Sequence, residues 1–391
     1  MKLQSPVYQE ISDLIQRIGR ITFAQFMQTC LYSPRGGFYS SEQTNINRHF
    51  TTSPTSHPVF GLLIARQLEQ MWHVLGKPPI FHVIEVGSAG GTLAQSIIRS
   101  CYRMNPKFSE ALYYIAIDYQ PCRVQLPIPF IDFELGTEDE TYPYHNEISS
   151  AIHRVKANGL QAFQDVAGCI LYNELIDNFP VHRFAIQNGK ILEIFVTLSD
   201  SGFTEVLDEP SSPLIPQRIS NLGLSLTEGY KGEINLAIED WTAQLSKTLS
   251  CGFILTIDYG DTASELYSPQ NNQGTLVCYN KHAAVSDPYQ HVGKQDITCH
   301  VDFTSLMEIG HQYGLTTVGY VKQNKFLESL GLSSFLETLQ KLGLSAARTE
   351  LNRIAMMTLV DSEEYGDFKV LAQAKGIELE FDLQGFRDHP T

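Results

Sequence analysis

The sequence predicts an α/β protein whose core is a doubly wound parallel sheet, and three observations predict it. From residue 80 onward, short apolar runs alternate with stretches of helical periodicity. The first of these runs, FHVIEVG, passes into a turn of small residues and then a helix start. Several runs end in an acid or an acid beside an amide, and in an open α/β sheet ligands bind beyond the carboxyl ends of the strands.

The segment up to about residue 78 is helical in pattern. A Thr22 cap precedes FAQFMQTCLY, a Pro-Arg-Gly-Gly turn follows, and HPVFGLLIARQLEQMWHVLG has apolar residues at helical spacing before Lys77-Pro78-Pro79 ends it. FHVIEVG, LYYIAID, CILYNEL, EIFVTL and GFILTIDYG then read as strands, with helices from Thr92 and around INLAIEDWTAQLSKTL. TTVGYV and FKVLAQA are two further strands that would close the sheet. The stretches 119–165 and 261–300 are polar, contain Pro and Tyr, and read as loops or insertions. The expected organisation is a helical segment over 1–78 and an α/β domain over 79–391, with insertions at about 119–165 and 261–345.

Composition narrows the class. The chain has 391 residues, 43% of them hydrophobic, enough for a sizeable core. It has no uncharged apolar run of about 20 residues, so no membrane span is expected. The first twenty residues lack the apolar centre of a secretory signal and the acid-poor, Arg-rich bias of a mitochondrial presequence, which makes the cytoplasm the default location. Seven cysteines without a C-x-x-C pair argue against a disulfide framework and against a zinc site; no metal is expected. A formal charge of −15 disfavours nucleic acid and is compatible with a basic partner, or with solubility alone.

The turn is the most informative stretch. Val83 to Leu93 read VIEVGSAGGTL. The dinucleotide fingerprint G-x-G-x-x-G needs Gly or Ala where this chain has Thr92, whereas the E-x-G-x-G-x-G pattern of S-adenosylmethionine (SAM) enzymes fits as Glu85, Gly87, Ala89 and Gly91, with Ala89 in place of one glycine. Asp118, ending LYYIAID, stands where an acid accepts hydrogen bonds from the ribose hydroxyls of such a cofactor; the alternative is an exposed loop acid. Asn173, Glu174 and Asp177 follow the third strand, where acids three apart orient a cationic amine or guanidinium, although Asp177 is also what a helix N-terminus favours. Asp258-Tyr259-Gly260 ends another strand in the same way. His182, His282, His291 and His300 are candidate bases without metal-ligand spacing.

These residues carry a resemblance over nearly the whole chain. ITFAQFMQTCLYSPRGGFYSS, FTTSPTSHPVFGLLIARQLEQMW, IEVGSAGGTLAQSI, YNELIDNFPVHRF, LTIDYG, GTLVCYNKH and KQDITCHVDFTSL, followed by NKFLESLGL, occur in the order and spacing of the MidA family. The chain resembles a diverged, bacterial-type member of this family of SAM-dependent methyltransferases, which includes mitochondrial protein-arginine methyltransferases that serve complex I assembly. The resemblance implies a class I Rossmann-like methyltransferase sheet with the N-terminal helical segment capping the cofactor site. Thr52, Ser53 and Pro54 would line the cofactor with the turn from Glu85 to Gly91, and Asp118 would hold its ribose. Asn173, Glu174 and Asp177 would face the methyl acceptor, and Gln295, Asp296, His300 and Asp302 would close the pocket from the inserted region.

The chain departs from the family pattern in several places. His49 replaces an acid, the turn reads G-S-A-G-G rather than G-x-G-[RQ]-G, the second strand is followed by DYQPCRVQLPIP rather than a long helix, and Lys231-Gly232-Glu233 replaces Arg-Thr-Glu. Three readings result: methylation of a protein arginine, with Glu174 and Asp177 aligning the guanidinium; O-methylation of a small molecule, with His182 or His300 as base; or a non-catalytic assembly factor whose turn Ala89 closes to the cofactor. The partner is accordingly a basic protein or a small-molecule acceptor, with a homodimer left open.

Overall fold

The computed structural model describes residues 5–40, 52–118, 131–132, 137–138, 152–157, 159–280, 283–378 and 380–387. His49, Cys122, His282 and most of the expected 119–165 insertion lie outside these residues. The chain forms two compact units, each assembled from three separated stretches. Met1–Phe50, Leu175–Trp241 and Gly260–Leu306 make an antiparallel unit; Thr51–Glu174, Thr242–Tyr259 and Met307–Thr391 make an α/β unit. The helical segment expected over 1–78 is thus shared between them.

The α/β unit is built on a seven-stranded sheet. Its strands are β1 (Phe81–Val86), β2 (Leu112–Asp118), β3 (Ile152–Lys156), β4 (Val166–Asn173), β5 (Leu249–Asp258), β6 (Thr316–Lys322) and β7 (Lys369–Lys375), in the spatial order β6-β7-β5-β4-β1-β2-β3. β1 pairs in parallel with β2 and β4, β2 with β3, and β4 with β5; β7 alone runs antiparallel to both its neighbours. The doubly wound sheet expected from the alternating pattern is present. The order reverses between β1 and β4, so the switch point where such sheets bind ligands falls at the carboxyl ends of these two strands.

The central strands are apolar because both of their faces are covered: β1 and β4 are buried along nearly their whole length. The core beside the sheet includes Phe60, Leu63, Leu68, Ile97 and Ile98 from helices Val59–Val74 and Thr92–Met104, all but Ile98 at most 2% exposed. Burying each such side chain stabilises the fold by about 1.5–3 kcal/mol.

In the antiparallel unit, Ser5 caps helix Pro6–Ile18, whose Val7, Ile11 and Ile15 form a buried stripe at four-residue spacing. Thr22 caps the helix Phe23–Tyr32, as the sequence led one to expect, and does so in a reciprocal capping box with Gln25. The EIFVTL run requires a correction. It lies in Lys190–Ser199, which pairs antiparallel with His182–Gln187 and Gly202–Asp208 in a separate sheet. Asn188 and Gly189, both in the left-handed region (φ 53° and 69°), make the two-residue turn that imposes a hairpin in place of a crossover. Among the described residues no helix is long and apolar enough to cross a membrane, and no group of three or more His, Cys, Asp or Glu is placed to hold a metal ion.

Candidate cofactor and acceptor site

The α/β unit brings a strand, a turn and a helix together at the switch point. After β1 the chain bends through Gly87 (φ 75°), Ala89 (φ 48°) and Gly91 (φ 79°), three alternate residues in the left-handed region. Gly87 and Ser88 donate to the carbonyl of Ile117 at 2.9 and 3.1 Å, which ties the turn to the end of β2, and Gly91 N–H closes it onto Ser88 O at 2.7 Å. Ala89 therefore adopts the conformation that glycine takes at low cost. The altered motif keeps the shape of the turn at the expense of local strain. Helix Thr92–Met104 starts at Gly91 with no side-chain cap, the kind of helix start at which anionic and nucleotide-type ligands bind, and Gly87 and Ala89 stay partly accessible while Ser88, Gly90 and Thr92 are buried. These are the features of a cradle for a nucleotide-type cofactor.

Acidic groups surround that cradle. Glu85 is 4% exposed and accepts from Tyr114 Oη at 2.9 Å. Burial pushes its carboxyl up to about 8; the Tyr114 bond pulls it down, Asp118 raises it further, and Arg154 lowers it. Asp118 closes β2 and is partly exposed. Arg154, on the edge strand β3, is missing from the sequence expectations. Its two terminal nitrogens lie 3.3 and 3.4 Å from Gly90 O, and a Cβ on residue 91 would meet one of them at 2.9 Å. Gly91 thus serves both its φ and this close approach.

At the end of β4, Glu174 is another non-glycine residue in the left-handed region, with φ 51°. Its N–H donates to Ile257 O at 2.9 Å, its Oε1 accepts from Asn173 Nδ2 at 2.9 Å, and Ser53 N–H lies 3.4 Å from the same oxygen. The structure thereby joins Ser53, expected at the cofactor, to Asn173 and Glu174, expected at the acceptor. Thr52 and Pro54 flank Ser53 in the short helix Ser53–Ser56 and its cap.

Asp258, buried, ends β5 in the α/β unit and accepts from Tyr259 N–H at 2.9 Å; the remaining expected residues lie in the antiparallel unit. Asp177, 4% exposed, sits in the turn Ile176–Asn178, and Cys299 N–H donates to its carbonyl at 2.9 Å. Asn178 and Asp296 form a buried ring with Tyr39: Asn178 Nδ2 donates to Asp296 Oδ1 at 2.9 Å, and Tyr39 Oη lies 3.0 Å from both Asn178 Oδ1 and Asp296 Oδ2. One hydroxyl hydrogen cannot serve two acceptors. A proton on Asp296 Oδ2 closes the ring, and burial followed by the charge of Asp177 pushes that carboxyl up to about 8. Tyr39, Asn178 and Asp296 come from three of the segments that carry the family resemblance. Gln295 ties down the inserted loop through Asp287 O and Pro288 O, and Asp302 caps the following helix through Ser305. His300 is exposed, and His182 Nδ1 is bonded to the buried Glu193 at 2.7 Å.

A parallel sheet whose order reverses at a glycine-type turn, with acids ending the neighbouring strands, defines an α/β enzyme with a nucleotide-type cofactor. Residues 63–321 match one such family, and the chain belongs to it: the S-adenosyl-L-methionine-dependent methyltransferases. The chain is 25% identical over 375 residues to the Drosophila melanogaster homolog of protein arginine methyltransferase NDUFAF7, covering 92% of this chain and 82% of that protein. It is 22% identical over 356 residues to human NDUFAF7, covering 86% and 75%. A Burkholderia thailandensis protein crystallised with S-adenosyl-homocysteine superposes with a TM-score of 0.80 at 26% identity, covering 97% of this chain and 94% of that one. The protein is a methyltransferase, and SAM is its cofactor.

Proposed function

We propose that the methyl acceptor is a guanidinium, as on an arginine of a basic protein. In this reading Thr52, Ser53, Pro54, Glu85, Gly87, Ala89, Gly91 and Asp118 line the cofactor, and Asn173 and Glu174 meet the acceptor. The parts given by family resemblance to Asp177 and His300 belong to the same proposal. The observation that carries it is the Glu174 carboxylate, held by two N–H donors on a strained backbone at the switch point. The names of the relatives and the net charge of −15, which favours a basic partner, support it.

Bound SAM supplies the electrophilic methyl group. The chain's own residues have to orient the acceptor and deal with its proton. A guanidinium is always protonated in water, so a carboxylate aligns it by charge-assisted hydrogen bonds. As the nitrogen is methylated it loses one N–H proton, and in this reading Glu174 accepts it. For an O-methylating reading, His182 has its Nδ1 bonded to the buried Glu193, and His300 is exposed. The left-handed Ala89 argues against a turn closed to cofactor.

The test is methyl transfer from labelled SAM to arginine-containing peptides, lysine-containing peptides and small hydroxylic acceptors. The expected product is methylarginine, and Glu174→Gln should lower kcat by about a hundredfold with little change in S-adenosyl-homocysteine affinity. Labelled ester or ether products, or an unchanged kcat in the variant, would overturn the proposal.

A further inference from the structure

The polar chain that ends on Glu174 starts at a buried amide. Gln323, at the start of helix Gln323–Ser329, is fully buried, as is Ser53. Its backbone N–H donates to Phe368 O at 2.7 Å, and its side-chain Nε2 donates to Leu359 O at 2.9 Å and faces Ser53 Oγ at 3.2 Å. Ser53 in turn presents its backbone N–H to Glu174 Oε1. The other end of the Ser53–Ser56 helix is pinned as well. His57 accepts from Val59 N–H at its Nδ1, so its Nε2 carries the hydrogen and donates to Asn352 Oδ1 at 3.1 Å. Burial lowers the His57 imidazole to about 4, which keeps it neutral in this role.

We infer that Gln323 is a positioning residue for Glu174: through the Ser53 hydroxyl it sets the N–H donor that orients the Glu174 carboxylate. Packing alone does not call for an amide here. A buried amide is costly unless its hydrogen bonds are made, and an apolar side chain of similar volume would fill the same space. Both ends of the Gln323 amide are satisfied: Nε2 donates to the main chain that follows helix Ala346–Thr358, and the Ser53 hydroxyl lies 3.2 Å from Nε2 and 3.3 Å from Oε1, in the segment whose N–H faces Glu174. The inference rests on the proposal that Glu174 acts at the acceptor, but its test reads the position of the carboxylate directly.

The experiment is a pH titration of Glu174 by carbon NMR in the full-length protein, labelled at the glutamate carboxyl carbon and saturated with S-adenosyl-homocysteine. The Glu174 resonance is assigned by its loss in Glu174→Gln. In Gln323→Met the carboxylate should lose part of its N–H bond to Ser53 and its pKa should rise by about 0.5 or more, because hydrogen bonds to the charged form hold a pKa down. Ser53→Ala, which keeps the backbone N–H but breaks the link to Gln323, should reproduce the rise and serves if Gln323→Met does not fold. An unchanged Glu174 pKa in a folded variant overturns the inference and assigns Gln323 to fold stability alone. Failure of the guanidinium proposal would appear separately, as a normal kcat in Glu174→Gln.

Discussion

Ala89→Gly tests whether the altered turn is strained or blocked. Ala89 has φ 48°, a region that costs an L-residue roughly 1–2 kcal/mol and costs glycine nothing steric. Glycine at the same place gives back about 0.4–1 kcal/mol through the greater freedom of the unfolded chain. The difference leaves the variant more stable by about 0.5–1 kcal/mol, a rise in melting temperature of about 1 °C for a chain of this size. Ala89 already holds the turn in the glycine conformation, so affinity for S-adenosyl-homocysteine should change by less than about twofold. Thermal unfolding and calorimetric titration of both proteins read the two quantities. A stability gain with unchanged affinity supports a retained cradle. No gain, together with affinity tightened by about tenfold or more (1.4 kcal/mol), would show that the methyl group itself obstructs the cofactor and would refute the argument from φ.

Three further outcomes are expected. Asp118→Ala should weaken S-adenosyl-homocysteine binding by about 1–3 kcal/mol, the range for a hydrogen bond to a charged group, and unchanged calorimetric affinity would remove Asp118 from the cofactor. Asp296→Asn should match the parent protein near pH 4 and become progressively more stable than it up to pH 8. The folded carboxyl, pushed up to about 8 from an ordinary value of 3.8, keeps a proton that the unfolded chain releases, so the parent loses up to about 1.4 kcal/mol per pH unit over that window while the asparagine amide donates to Tyr39 at any pH; parallel curves of stability against pH would place no proton on Asp296. Glu174→Gly should be more stable than Glu174→Ala by about 0.5–1 kcal/mol, because both lose the carboxylate and only glycine relieves the left-handed backbone, and equal denaturation midpoints would argue that no strain is stored there.

The central strands β1 and β4 were legible in the sequence because each is buried on both faces and so reads as a continuous apolar run bounded by turn residues, whereas the mostly exposed edge strand β3 lay inside a stretch read as a loop. The turn after β1 was legible for a related reason: backbone at φ > 0 and close approach leave few residue choices. The antiparallel unit was harder to read. His182–Gln187 and Lys190–Ser199 carry a plain Asn-Gly hairpin signal, but EIFVTL taken alone has the apolar character of a parallel strand, and its register came from the turn. Arg154 and Gln323 left no sequence signal, since each acts on a residue far away in the chain. An arginine on an edge strand and a glutamine at a helix start look ordinary until folding sets them against Gly90 and Ser53.

Two of the left-handed non-glycine residues, Ala89 and Glu174, sit at the ends of β1 and β4, the neighbouring strands between which the order of the sheet reverses. The two cases differ in what they gain. Glycine would do at position 89, so Ala89 carries strain with no visible return and marks divergence from the family motif. At position 174 glycine would relieve the backbone but remove the carboxylate, and the Asn173 and Ser53 bonds to that carboxylate offset part of the backbone cost. Strain that neighbouring hydrogen bonds oppose fits a carboxylate fixed in direction, as the proposed role of Glu174 at the acceptor requires. Stability measured at position 174 should therefore trade against turnover, whereas stability gained at position 89 should not.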